Sequence, residues 1–133
     1  MTRFAAISVL SLAALAGCLR DETISGFVPE NAVWTLTEGP GLPAGATIAF
    51  PQPGQVTGQA PCNRYTAVQS APYPWIDIKL GAVTKMACPA LDQEADYFAA
   101  LSAATLVEVV GDVLILSDAE NQPLLTFTRQ PPV

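Results

Sequence analysis

The chain contains no histidine, and only 6 of its 133 residues are basic against 12 acidic ones. Without histidine it lacks the commonest general base, so neither a Ser-His-Asp nor a Cys-His arrangement can be assembled. The scarcity of lysine and arginine excludes a nucleic-acid surface, which needs cations to displace counterions from phosphate. It also excludes electrostatic docking on anionic lipid. No glycine-rich phosphate loop is present. Cysteine is limited to three residues, and that odd number has to be explained.

The first explanation lies at the start of the chain. "MTRFAAISVLSLAALAGC" has one cation, Arg3, followed by an apolar run from Phe4 to Ala14 that is too short to span a bilayer. It ends in Leu15, Ala16, Gly17 and Cys18, which looks like a bacterial lipobox. Small residues before the cysteine fit a signal peptidase, and the thiol is the nucleophile that takes a diacylglyceryl group. Residues 1–17 are therefore expected to be a signal peptide, with Cys18 lipidated. Two or three acyl chains would hold such a protein stably on a membrane. Leu19 stands where an aspartate would favour the inner membrane, so an outer membrane, facing the periplasm, is the expected location. Loss of Arg3 with the peptide leaves five basic against twelve acidic residues, a net charge of −7. The acyl anchor, not charge, must hold the membrane.

Lipidation of Cys18 leaves Cys62 and Cys88. An envelope protein matures where thiols oxidise, so these two are expected to pair. Such a bridge closes a 26-residue loop, worth roughly 3 to 4 kcal/mol in the chain-entropy model. Zinc would need four closely spaced ligands, and a catalytic cysteine would need a base; neither is present. No metal and no cofactor are expected.

Residues 18–30 are polar and end in Pro29-Glu30, reading as a short tether. A single domain over residues 31–130 follows. "AVWTLT" alternates Trp34 and Leu36 against Val33, Thr35 and Thr37, the period of a strand. "ATIAF" and "QVTGQA" are short β-rich runs. "WIDIKLGAV" alternates Trp75, Asp77 and Lys79 with Ile76, Ile78 and Leu80. One helix is expected over about residues 90–103, with Leu91, Ala95, Phe98 and Leu101 on its buried face. Asp92, Glu94 and Asp96 near its start suit the helix dipole. "TLVEVV" and "VLILS" flank Gly111-Asp112, which suits a type II′ turn; "DAENQ" is a solvated turn, and "PLLTFTR" is the last strand. The order predicts an α+β fold, mainly antiparallel: a strongly bent sheet or partly closed barrel packed on a single helix.

Trp34-Thr35-Leu36, "VTGQAPCNRYTA" (56–67), "LGAVTKMAC" (80–88), "QEADYFAAL" (93–101) and the closing hairpins together resemble a META domain, of the HslJ-like family of envelope proteins. The resemblance covers about residues 32–128. It implies an antiparallel fold on one helix, often behind a lipoprotein anchor. It further implies no enzymatic activity, no cofactor, and a role in envelope stress or drug tolerance. The chain departs from the family pattern after "CNRY", where Ala67-Val68-Gln69 replace a glycine and an aromatic.

The expected function is thus a membrane-anchored, non-catalytic domain that binds another, unidentified envelope protein. Asn63 and Tyr65 are expected to be structural, Asn63 satisfying a turn and Tyr65 packing with its hydroxyl at the surface. Arg64 and Lys85 would be brought together by the disulfide as a small basic patch for an acidic partner. Tyr73 and Trp75, flanking Pro74, are candidate aromatic contacts. Two alternatives stand beside this reading: a periplasmic inhibitor of a hydrolase such as lysozyme or a protease, and a carrier of a small apolar ligand.

Overall fold

A computed structural model describes residues 20–130. The signal segment 1–17 with Leu15, Ala16 and Gly17, and the lipidation site Cys18, lie outside the described residues. Eight antiparallel strands form one sheet: β1 (Val33–Glu38), β2 (Thr47–Ala49), β3 (Gly54–Gln59), β4 (Arg64–Gln69), β5 (Lys79–Val83), β6 (Leu106–Val110), β7 (Val113–Ser117) and β8 (Pro123–Thr128). One helix, α1 (Leu91–Ala103), stands between β5 and β6 in the chain. The strand order is β5-β4-β3-β2-β1-β8-β7-β6, so β5 and β6 are the edges and the ladder is not closed.

Alternation builds the core. Trp34 and Leu36 of β1 are buried while Val33, Thr35 and Thr37 face out. Ile48, Val56, Leu114, Leu116, Leu125 and Phe127 join them from the other strands, and Tyr97 and Leu101 from α1, in one continuous apolar cluster. Gly111 has φ 58° and its neighbour Asp112 does not share a positive φ, as the tight β6–β7 turn requires. In the next turn, Asp118 Oδ1 accepts from the amides of Glu120 (3.0 Å) and Gln122 (2.9 Å).

Four expectations need correction. Strand β4 went unanticipated, because "CNRYTA" reads as a turn and alanine and glutamine are weak strand formers. The run from Trp75 is extended, but it serves two neighbours. Ile76 N donates to Thr105 O and Pro74 O accepts from Val107 N, beside β6; the chain then crosses to pair with β4 only from Lys79. Leu80 is consequently exposed, although Ile76 and Ile78 are buried.

The helix buries Glu94, Tyr97 and Leu101. Leu91 and Ala95 are exposed, and Phe98 is half-buried. The buried face is rotated towards two polar side chains, which a hydropathy pattern does not select.

Within the expected 18–30 tether, residues 21–26 and Val28 are held to the fold. Asp21 accepts hydrogen bonds from Thr23 N (2.9 Å), Thr23 Oγ1 (2.7 Å) and Ser25 Oγ. A 3-10 turn, Ile24–Gly26, follows and buries Ile24 in the core. A single isoleucine of this kind contributes about 1.5–3 kcal/mol of burial, enough to hold a short segment down.

Candidate functional site

The residues of "GQAPCNRY" and "TKMAC" meet α1 in a buried polar node. Glu94, 5% exposed, accepts from Cys62 N (3.0 Å) and Asn63 N (2.7 Å) on Oε1 and from Asn63 Nδ2 (2.7 Å) on Oε2. A carboxylate suits this position because two consecutive amides and a side-chain amide all point one way as the chain turns into β4. Asn63 reaches in the other direction as well. Its Oδ1 accepts from Thr84 Oγ1 (3.0 Å) and Met86 N (2.6 Å), and Nδ2 also donates to Met86 O (3.3 Å). One asparagine therefore ties β4, the segment after β5 and the helix together, using both the donor and the acceptor end of its amide.

The disulfide closes the same node. Cys62 and Cys88 are bonded, with Cα atoms 6.0 Å apart, well inside the span a disulfide bridges. Leu91 N donates to Cys88 O at 3.3 Å, so the bridge hands directly over to α1.

Tyr65 and Tyr97 lie beneath. Their hydroxyls are 2.8 Å apart, and Tyr65 Oη donates to Thr47 O at 2.9 Å. Both rings are buried, so the surface position expected for the Tyr65 hydroxyl is not found. Burial raises the pKa of Tyr65 far above the ordinary phenol value, against the smaller opposing effect of its bond with Tyr97; burial, and then proximity to Tyr65, raises that of Tyr97. The pair is neutral and serves as a hydrogen-bonded strut. Gly58, opposite Tyr65 in the ladder, makes room for it: a Cβ there would fall on Thr47 O and the Tyr65 hydroxyl. That close approach is why the motif carries a glycine.

Above the node is an exposed surface. Arg64 N donates to Thr84 Oγ1 (3.1 Å) and Thr84 N to Arg64 O (3.0 Å), which sets Arg64 beside the residue preceding Lys85. Both cations are exposed. The ion pairs among the described residues are Lys79–Asp77 (3.4 Å) and Arg129–Asp112 (2.8 Å), so neither Arg64 nor Lys85 has an acidic partner there. Met86 (63% exposed) and Leu91 (44%) flank them. A cleft of about 440 Å³ lined by Thr57, Arg64, Thr66, Ala82 and Thr84 adjoins another of about 350 Å³ lined by Lys85, Met86 and Leu91; Thr84 belongs to both.

The expected aromatic contacts do not join this surface. Tyr73 is half-buried: its ring stacks on Phe27 at 4.3 Å and its hydroxyl accepts from Val109 N at 3.4 Å. Tyr73 is structural. Trp75 is 57% exposed but precedes β5, whereas Lys85 and Met86 follow it. Gln69 explains the departure after "CNRY". Buried at 2%, it donates from Nε2 to Ala71 O (2.8 Å) and accepts on Oε1 from Ala71 N (3.1 Å) and Asp77 N (2.9 Å), holding the loop that carries Tyr73.

Glu94 and Gln69 escaped the sequence reading because each looked like an ordinary exposed polar residue. The one available signal was the placement of Glu94 three residues before Tyr97, on the side of the helix that faces Cys62. Among the described residues no three His, Cys, Asp or Glu side chains gather as a metal site, and no helix is long and apolar enough to cross a membrane.

Comparisons with known proteins agree with this architecture. No curated protein matches the sequence. Among solved structures, a protein from Burkholderia xenovorans shares 22% identity and a TM-score of 0.59, over 77% of this chain and 84% of that one. A DUF4847 family protein from Bacteroides vulgatus shares 17% identity and a TM-score of 0.55, over 66% of this chain. The match spans about three fifths (61%) of the Bacteroides protein's length. Both likenesses concern the fold. The family model described as META domain matches residues 29–131, the stretch that holds the polar node, the disulfide and all eight strands, and the chain belongs to the META domain family.

Proposed function

We propose that this is an envelope lipoprotein, anchored through Cys18 to the outer membrane and facing the periplasm. Its META domain binds another envelope protein and does no chemistry. The observation that carries the reading is a contrast. The polar groups most suited to chemistry, Glu94, Asn63, Tyr65 and Tyr97, are buried and bonded to one another. Arg64, Lys85, Met86 and Leu91 are displayed on the rigid rim above them. Two unpaired cations beside exposed apolar side chains suit an acidic protein partner. Support for envelope stress or drug tolerance as the physiological setting comes from the family.

The sheet, in this reading, is strongly bent but short of a barrel. Bonding of residues 74–76 to β6, just before β5 pairs with β4, supports that shape.

Reversing both charges, Arg64→Glu with Lys85→Glu, tests the proposal. Because both residues are exposed, the variant is expected to melt within roughly 2 °C of the parent and to lose most of the tolerance the parent gives to cells under envelope stress. Undiminished tolerance at equal abundance contradicts the basic-patch reading.

The hydrolase-inhibitor reading ranks second. The disulfide-pinned segment 84–90 has the rigidity to enter a cleft, but its one cation, Lys85, and the neighbouring Arg64 would meet a basic hydrolase such as lysozyme with like charge. The continuous buried cluster gives the apolar-carrier reading no support.

A further inference from the structure

We propose that the end of the domain bearing Phe27 and Trp75 lies directly on the bilayer, making the membrane surface a second binding partner. This rests on the reading that Cys18 is lipidated. Chain length limits how far the domain can stand from its anchor. A free tether over residues 18–30 would let the domain stand about 40 Å from its anchor, whereas the three steps from Cys18 to Asp21 reach at most about 11 Å.

Asp21 is already fixed to the fold. Its carboxylate is bonded to Thr23 and Ser25, the next residue, Glu22, accepts from Tyr73 N at 2.8 Å, and Ile24 is in the core at 1% exposure. The interfacial layer of each leaflet is itself about 5–8 Å deep. A lipid at Cys18 therefore draws the surface around Asp21 into contact with headgroups.

What that surface carries fits the location. Phe27 is 43% exposed and stacked on Tyr73, and Trp75 is 57% exposed two residues further on. Tryptophan, with an apolar body and a polar N–H edge, favours the headgroup level of a bilayer, and the Phe27 ring adds apolar surface beside Tyr73. With 12 acidic residues against 5 basic ones once Arg3 is removed with the signal peptide, the chain gains nothing from anionic lipid, so zwitterionic headgroups are the expected contact. The arrangement leaves Lys85 and Met86, beyond the far end of β5, away from the Trp75 end and open to a protein partner.

Tryptophan emission tests this, because Trp34 is fully buried (0% exposed) and Trp75 is not. The mature chain, with Cys62 and Cys88 bonded, offers Cys18 as a single thiol for coupling to a maleimide phospholipid in phosphatidylcholine vesicles with brominated acyl chains. Emission from Trp75 is expected to fall about twofold relative to unbrominated vesicles, and Trp75→Phe should abolish the difference while Trp34 still emits. Equal emission in the two vesicle types, with the protein demonstrably coupled, would overturn the docking. A separate outcome addresses the anchor: a mature native protein whose mass shows no diacylglyceryl group at Cys18 would overturn the lipidation reading, and the docking with it.

Discussion

Replacing Glu94 with alanine is expected to lower the melting temperature by roughly 15–20 °C. The variant leaves two backbone amides, of Cys62 and Asn63, and the Asn63 side-chain amide without their acceptor. A buried donor left unmade costs about 1–3 kcal/mol, more where the lost partner was charged, so about 4 kcal/mol in all is a reasonable sum after some water enters. For a domain of this size, each kcal/mol lowers the midpoint by about 4–5 °C. Glu94→Gln preserves the shape but turns an NH2 group towards donors. Asn63 cannot flip in response, since its Oδ1 is held by Thr84 and Met86. About half the alanine effect is therefore expected. Thermal unfolding followed by circular dichroism reads both variants. A loss below about 1 kcal/mol for alanine would mean the node is not a staple.

The second large effect is loss of the disulfide. Cys62→Ser with Cys88→Ser opens a loop of 26 residues whose closure is worth about 3.5 kcal/mol in the chain-entropy model. The midpoint should fall by roughly 15 °C. The position of the bridge adds a finer expectation. Cys62 N is itself a donor to Glu94, and Cys88 O accepts from the first residue of α1, so the bridge and the carboxylate restrain the same segment. Their effects should not add: Glu94→Ala ought to cost less without the disulfide than with it, by at least about 0.5 kcal/mol. Full additivity would mean that the two restraints act independently, and an unchanged midpoint on removing the bridge would remove it from the stability account altogether.

These two predictions also mark where the sequence was legible. The Trp34–Leu36 alternation, the tight turn at Gly111, the helix α1 and the Cys62–Cys88 pairing could be read because each follows from a local rule: side-chain period, φ at glycine, apolar recurrence, or counting thiols. The rotated helix face could not. Glu94 and Tyr97 are buried by partners more than thirty residues away, and a pattern of hydrophobicity treats a carboxylate as surface. Gln69 was hidden because its polar side chain reads as exposed although it bonds to Ala71 and Asp77 nearby, and β4 because alanine and glutamine are weak strand formers. The short polar segment at 18–30 looked like a linker by composition, yet buried Ile24 and the hydrogen bonds of Asp21 hold residues 21–26 to the fold. Arg64 and Lys85 were expected to lie close because of the bridge, and Arg64 does bond to Thr84, the residue before Lys85; that the Tyr73 ring is covered by Phe27 could not be read from an aromatic next to proline.

In the proposed function, a rigid node, inert in itself, displays the rim around Lys85 and Met86 to a protein partner. Site-specific photo-crosslinking in intact cells tests that most directly, with the crosslinker at position 86 and, as a control, at Val110, an exposed apolar position on β6. One discrete envelope protein captured from position 86, not from 110, and lost on reversing Arg64 and Lys85 is the predicted result. Equal capture from both positions, or capture indifferent to the two charges, would contradict it.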